Sequence, residues 1–410
     1  MAVVVLLGTL DTKGDEYAFL RSLLSGHGLE TILVDAGVLG EPRVTPDVTR
    51  EEVAGAAGAD HAALAAAGDR GAAVETMARG AAEIVSRLHA EGRLDGILAL
   101  GGSGGTAVAA EAMRALPVGV PKLIVSTMAS GDTRPYVGAT DLTMTYSVVD
   151  IAGINAVSSR ILANAAAAMA GMAVSEPPSV EGGKPLVGAT MFGVTTPCVT
   201  AARQRLEELG YEVLVFHATG TGGQSMEALM RSGFITASLD ITTTELADDL
   251  VGGVLSAGPD RLEAAGELGL PQVVSLGALD MVNFGPMESV PVEFRDRLLY
   301  KHNPTVTLMR TTPEECAELG LRIGRKLSAA RGPVTLFVPL RGVSLIDVEG
   351  QVFYDPEADR ALFDALREGL GPGVDVRELD TDVNDPAFAR EMADTLHEHY
   401  QAWVTEGVRA

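Results

Sequence analysis

Short, largely apolar runs that end in glycine, serine, threonine or aspartate recur along the chain, and helical spacing follows each of them. Val3 to Leu7, Thr31 to Val34, Ile97 to Leu100 and Pro121 to Ser126 have the character of strands buried on both faces. Helix-like stretches lie between them, from about Asp15 to Gly26 and from about Ala72 to Glu91, the second with Met77, Ala81, Ile84, Val85 and Leu88 on one face. This alternation predicts parallel strands joined by right-handed crossovers, so the loops leaving the strands open on one edge of the sheet. Residues 41–71, with Pro42, Pro46 and much alanine and glycine, interrupt the pattern as an excursion with short helices. Asp141 to Asp150 reads as extended. Ile151 to Val174 reads as one long helix of small residues that packs between domains or subunits.

After Ser175 to Pro185, where proline and glycine cluster, the pattern begins again. Leu186 to Phe192 is a strand, Cys198 to Leu209 a helix and Glu212 to Phe216 a strand. Gly28 to Asp35 matches Gly210 to His217 in length and pattern, and Ile235 to Leu239 runs into Asp240 to Glu245 as Ile97 to Leu100 runs into a glycine turn. Pro271 to Asp280 likewise mirrors Pro121 to Asp132. The expected fold is α/β: two tandem Rossmann-like domains with mainly parallel sheets, residues 1–178 and 185–410, joined by a Pro/Gly-rich linker. From Tyr354 onward the chain reads as helices around a strand, Val374 to Glu378.

Composition narrows the function. A chain of 410 residues, 47% hydrophobic and only 4% aromatic, with 47 glycines, suits sheets covered by small-residue helices. Its net charge of -24 sets nucleic acid and anionic membranes aside as partners, so any phosphate site must be local, built from backbone dipoles and a few cations. Cys198 and Cys316 stand far apart without metal-ligand spacing and read as core thiols. The first residues lack the basic region of a signal peptide, and no apolar stretch is long enough to span a membrane, so the expected location is cytoplasmic.

The strand-end loops carry the candidate chemistry. Gly101-Gly102-Ser103-Gly104-Gly105-Thr106 reads either as a phosphate cradle at a helix start or as a tight turn without a ligand. It has no lysine at the Walker A position. Gly102, Gly104 and Ala107 fit a dinucleotide fingerprint, and Asp35 closes the second strand where a ribose hydroxyl is often held; yet these fall on different βαβ units, which weighs against an NAD enzyme. Thr9, Thr12 and Lys13 in the first turn suit a phosphate or a metal-bound water, and equally a solvated loop. Arg79 is a further candidate for a phosphate contact. In the second half, Asp280, His302, Arg310 and Arg341 form a scattered polar set that, if brought together, would serve acid–base chemistry on an anionic substrate.

With these residues assembled, the chain resembles an uncharacterised ATP-binding family that includes a plant tobamovirus-resistance protein. The resemblance runs from Gly8 to about Leu366. It rests on Gly8 to Lys13, Gly101 to Thr106, Tyr136 to Asp141, Ser147 to Asn155, Thr219 to Gly223 and Pro339 to Ser344. It implies ATP in the first domain and a homodimer; Mg²⁺ is expected with the ATP, as the ion that bridges its phosphates. The implied nucleotide residues are Gly8, Thr9, Leu10, Asp11, Thr12 and Lys13, with Asp35 near the ribose, Arg79 in addition, and Gly101, Gly102, Ser103, Gly104, Gly105 and Thr106 on the phosphates. Three functions follow as expectations: ATP-dependent phosphoryl transfer to, or activation of, a small anionic metabolite; a non-catalytic nucleotide-sensing module that binds a protein; and an NAD-dependent enzyme.

Overall fold

The computed structural model describes residues 1–176 and 183–407, so most of the expected linker lies outside the described residues. The chain divides into two compact units, Met1–Ser179 and Val180–Ala410.

The first unit is a five-stranded parallel sheet: β1 (Val3–Gly8), β2 (Glu30–Asp35), β3 (Gly96–Gly101), β4 (Lys122–Ser126) and β5 (Thr143–Tyr146), in the order β2-β1-β3-β4-β5. Alternation along the strands sends side chains into two cores. Val5, Leu7, Ile97 and Ala99 pack under the helices Arg70–Ala90 and Ser103–Arg114, while Val4, Leu6, Leu98 and Leu100 pack under Leu10–Gly26 and Ala156–Ala173. Burial on both faces is why these strands read as unbroken apolar runs. The winding direction reverses between β1 and β3, and a doubly wound sheet opens a crevice at that point, outside the carboxyl ends of its strands.

The second unit repeats the winding. Its strands are β6 (Leu186–Met191), β7 (Glu212–His217), β8 (Ala237–Thr242), β9 (Gln272–Gly277), β10 (Met281–Phe284), β11 (Leu299–Asn303), β12 (Val306–Arg310), β13 (Val334–Pro339) and β14 (Asp375–Leu379). The parallel sheet runs β7-β6-β8-β9-β13-β14, the order of the first unit with one strand added. The segments matched in sequence occupy corresponding places: β7 stands where β2 does, β8 where β3 does and β9 where β4 does.

Two features depart from the sequence reading. Between β9 and β13 the chain forms a separate antiparallel sheet, β10-β12-β11, in which β10 and β12 are buried and only β11 is polar and mostly exposed, so no alternation marks it. The long helix begins at Ala156, not Ile151. Lys13 Nζ donates to the Ile151 carbonyl and Gly153 N donates to Glu16 Oε1 at 2.6 Å, so Ile151–Asn155 is held as coil; Asn155 then caps the helix, accepting from Val157 N and Ser158 N.

Candidate functional site

The site begins with the packing of a tyrosine. Tyr17, fully buried on the helix Leu10–Gly26, donates to the Leu7 carbonyl and accepts from Leu100 N at 2.9 Å, so one hydroxyl ties the carboxyl ends of β1 and β3 together. Burial raises its pKa well above the ordinary phenol value, and it stays a neutral donor. Gly8 follows from this, because a Cβ there would stand 2.0 Å from the Tyr17 hydroxyl. Gly101 is constrained in the same way: its Cβ would meet the Gly105 backbone at 2.9 Å.

The helices Leu10–Gly26, Arg70–Ala90 and Ser103–Arg114 put their first turns on one cleft at this edge of the sheet. The N–H of Leu10 goes to Asp35 Oδ1 at 3.1 Å, and that of Ala72, at the start of Arg70–Ala90, goes to Asp69 Oδ1 at 3.0 Å. Protein carboxylates therefore serve both of these N-termini. The helix Ser103–Arg114 differs. Its N-cap is Gly102, no side chain caps it, and the first N–H to find an acceptor is that of Thr106, bonded to Gly102 O at 2.9 Å. The N–H groups of Ser103, Gly104 and Gly105 remain for something else.

These groups face a cleft of about 500 Å³. Thr9, Asp11, Thr12, Lys13 and Gly101 to Gly105 line it, so the structure brings both predicted turns to one place. The lining also carries apolar side chains, Val38, Leu39, Leu64, Val74 and Val108. Thr9 and Thr12 hydroxyls bond each other at 2.8 Å; Asp11 accepts from Gly40 N at 3.2 Å through Oδ2, while its buried Oδ1 has no partner.

Other predicted residues lie elsewhere. Gly8 and Leu10 are buried and do not line the cleft. Thr106 is fully buried and accounted for by Gly102 O at 2.8 Å and Ser126 Oγ at 2.7 Å. Asp35, also fully buried, accepts from Leu10 N and from Gly37 N at 2.8 Å and pairs with Arg50 Nε at 2.8 Å, so its carboxylate is spent within the fold instead of meeting a ribose. Arg79 points away, its guanidinium on Thr76 Oγ1 at 3.3 Å. The arginine at the cleft is Arg70. Sequence reading missed it by starting its helix at Ala72; Asp69 as an N-cap signal places Arg70 in the first turn.

The second unit closes the corresponding place. Thr242, Thr243, Thr244 and Glu245, which stand where the glycine turn does, are fully buried. Thr242 bonds Thr195 Oγ1 at 2.7 Å, and Thr243 donates to Ser275 O at 3.2 Å. Glu245 Oε1 accepts from Gly220 N at 2.8 Å and Gly223 N at 3.0 Å, at the start of the helix Thr221–Arg231. Arg261 completes the plug, bonding Glu245 Oε2 at 2.7 Å and both oxygens of Asp240. Burial alone would lower the Arg261 pKa; Asp240, Glu245 and Glu227 reverse this and raise it well above the ordinary value. The Thr219–Gly223 motif is thus an anion-binding turn whose anion is the chain's own.

The four residues expected to share catalysis do not gather. Asp280 and Arg310 are buried together. Arg310 donates to Phe353 O at 2.8 Å, Thr311 Oγ1 at 2.8 Å, Asp347 at 3.1 Å and Asp359 at 2.8 Å, which consumes its guanidinium. Asp280 accepts from Ser344 Oγ at 2.8 Å; burial pushes its pKa up to about 6, against the pull of Arg310. Burial, with Asp280 and Asp359 nearby, pushes Asp347 up to about 9. His302 is exposed near the turn of the β11–β12 hairpin, at the far end from Arg310, and Arg341 is a surface residue paired with Asp380 at 2.6 Å. The cysteines are buried, and burial raises both thiols, Cys316 to about 11.

No helix among the described residues is long and apolar enough to cross a membrane. The N-terminal domain of an uncharacterised protein family, UPF0261, matches residues 2–178, and the C-terminal domain of that family matches residues 184–400. A UPF0261 protein of Clostridium tetani is 57% identical over 394 residues, 96% of this chain and 98% of its own. One from Rhizobium meliloti is 48% identical over 391 residues, 95% of this chain and 97% of its own. The ToMV resistance protein Tm-1(GCR237) of Solanum lycopersicum is 47% identical over 336 residues, 80% of this chain but only 45% of that longer protein. Matched in both halves, and similar to these relatives over most of its length, the chain belongs to the uncharacterised family UPF0261.

Proposed function

We propose that the first unit binds a nucleoside polyphosphate, ATP with Mg²⁺, in the cleft at the β1/β3 switch point. One observation carries the reading: of the helices Leu10–Gly26, Arg70–Ala90 and Ser103–Arg114, whose first turns line the cleft, only the last leaves its first-turn N–H groups without a carboxylate from the protein. Such an N-terminus favours an anion through both its dipole and its free donors. The apolar part of the lining suits a flat, uncharged base. The family resemblance seen in the sequence implies the same ligand in the same domain.

The cleft's own charges are Lys13 and Arg70 against Asp11, Asp69 and Asp150, which do not neutralise a polyphosphate. Mg²⁺ carried on the phosphates would supply the missing positive charge, with Asp11, whose Oδ1 is unpartnered, and Asp150 on the lining. Among the described residues no three His, Cys, Asp or Glu side chains gather to hold a metal, so the phosphates would be its main ligands.

The reading is of binding, not turnover, because Asp280 and Arg310 are committed inside the fold and His302 and Arg341 stand apart from them. It favours a nucleotide-sensing module over a transferase that uses those four residues. It also disfavours NAD, since Asp35 is committed to Arg50 and backbone donors.

Calorimetric titration with ATP, ADP and NAD, with and without Mg²⁺, tests this on the wild type and on Gly104→Asp. A side chain at Gly104 has room, with Arg70 and Val74 no nearer than 3.8 Å to its Cβ. The new carboxylate occupies the open N-terminus. The expected outcome is ATP binding by the wild type and a loss of about tenfold or more in the variant, with the thermal midpoint not lowered, since the carboxylate favours the helix start. NAD binding in the absence of ATP binding overturns the reading.

A further inference from the structure

Two basic side chains line the cleft, and they differ in what they already hold. The Lys13 ammonium donates to the Ile151 carbonyl, so part of its capacity is spent on the Ile151–Asn155 segment. Arg70, exposed as the first residue of its helix, makes no hydrogen bond or ion pair with the described residues. Its Nη2 lies 3.8 Å from where a Cβ on Gly104 would stand, directly beside the open N–H groups. The neighbour best placed to neutralise it, Asp69, is turned onto its own helix and accepts from Ala72 N. Acidic residues outnumber basic ones by 55 to 31 in this chain, so a guanidinium without a carboxylate at that spot has its anion supplied from outside. Guanidinium is a planar fork that meets phosphate through two parallel N–H···O bonds, whereas an ammonium acts as a point charge.

We infer that Arg70 is the specificity-determining residue of the cleft: it pairs with the phosphates of a bound nucleoside polyphosphate over the Gly104 turn, and through it the site selects ligands by their phosphates. The inference rests on the nucleotide reading above. The wall formed by Val38, Leu39, Leu64, Val74 and Val108 gives the base apolar contact and no side-chain hydrogen bond. Discrimination therefore falls to the charged end.

The test is calorimetry with ATP, adenosine and inorganic tripolyphosphate at several salt concentrations, on the wild type, Arg70→Ala, Arg70→Lys and Arg79→Ala, with thermal midpoints recorded for each. Arg70→Ala is expected to weaken ATP and tripolyphosphate by about 10- to 100-fold, the range for one charge-assisted contact, and to flatten the salt dependence. Adenosine affinity stays as in the wild type, Arg70→Lys recovers part of the loss, and Arg79→Ala behaves as wild type. A structural role alone would not separate ATP from adenosine. If the wild type binds ATP and Arg70→Ala matches it in affinity and salt dependence, the inference is overturned while the nucleotide reading stands. If the wild type binds none of the three ligands, the nucleotide reading itself falls and the inference with it.

Discussion

Asp347 is fully buried in the second unit. It shares a buried space with Asp280, Asp359 and Cys316 around the one guanidinium of Arg310, and burial among like charges holds it protonated up to about pH 9. A carboxyl whose pKa rises on folding favours the folded state at low pH. That contribution is intact below the ordinary carboxylate value of about 4 and is lost as pH climbs through the folded values, about 6 for Asp280 and about 9 for Asp347. The second unit's thermal midpoint is therefore expected to fall as pH rises from about 5 to about 9. Asp347→Asn, which cannot ionise, is expected to flatten the upper part of that fall. A profile unchanged by Asp347→Asn would place the titration elsewhere. Cys316 does not compete below neutrality, since its thiol is pushed up to about 11.

Helix starts, more than any single residue, separate the two units. In the first unit a glycine N-cap leaves a dipole end open beside a cleft; in the second, Glu245, at the place of the glycine turn, accepts from Gly220 N and Gly223 N at the start of Thr221–Arg231, the counterpart of Arg70–Ala90, and is locked by Arg261. Glu245→Ala removes an acceptor from Gly220 and Gly223 and leaves Arg261 short of a buried partner. The expected cost is about 3–5 kcal/mol of second-unit stability, read by denaturant titration, with ATP affinity in the first unit unaltered. A cost below about 1 kcal/mol would mean that solvent replaces the carboxylate and that the plug is loose. The strand ends and their two turns were legible in the sequence because apolar runs and glycines mark them directly. Which helix start is capped was not, since Asp35 and Asp69 look alike as strand- or helix-end acids until one is seen bonded to Leu10 N and Arg50 and the other to Ala72 N. Arg79 and Arg70 were likewise indistinguishable while the helix start was set two residues late.

Over the whole molecule, the repeated winding was readable because Gly210 to His217 preserves the length and apolar pattern of Gly28 to Asp35, and such patterns record strand position. The antiparallel sheet was not, because β11 carries Leu299, Tyr300, Lys301, His302 and Asn303 on a mostly exposed ribbon with no burial to impose alternation. The scattered polar residues of the second half misled for a related reason: burial, which converts Asp280 and Arg310 from reactive candidates into an internal network, leaves no mark on residue type. If the first unit binds a nucleotide as proposed, the plug in the second unit also sets the stoichiometry of the whole chain. A duplicated fold would ordinarily present two equivalent binding events, but here one copy arrives with its occupant covalently attached. Calorimetric saturation is therefore expected at one nucleotide per chain with a single class of sites, and any sigmoidal response must come from communication between separate chains.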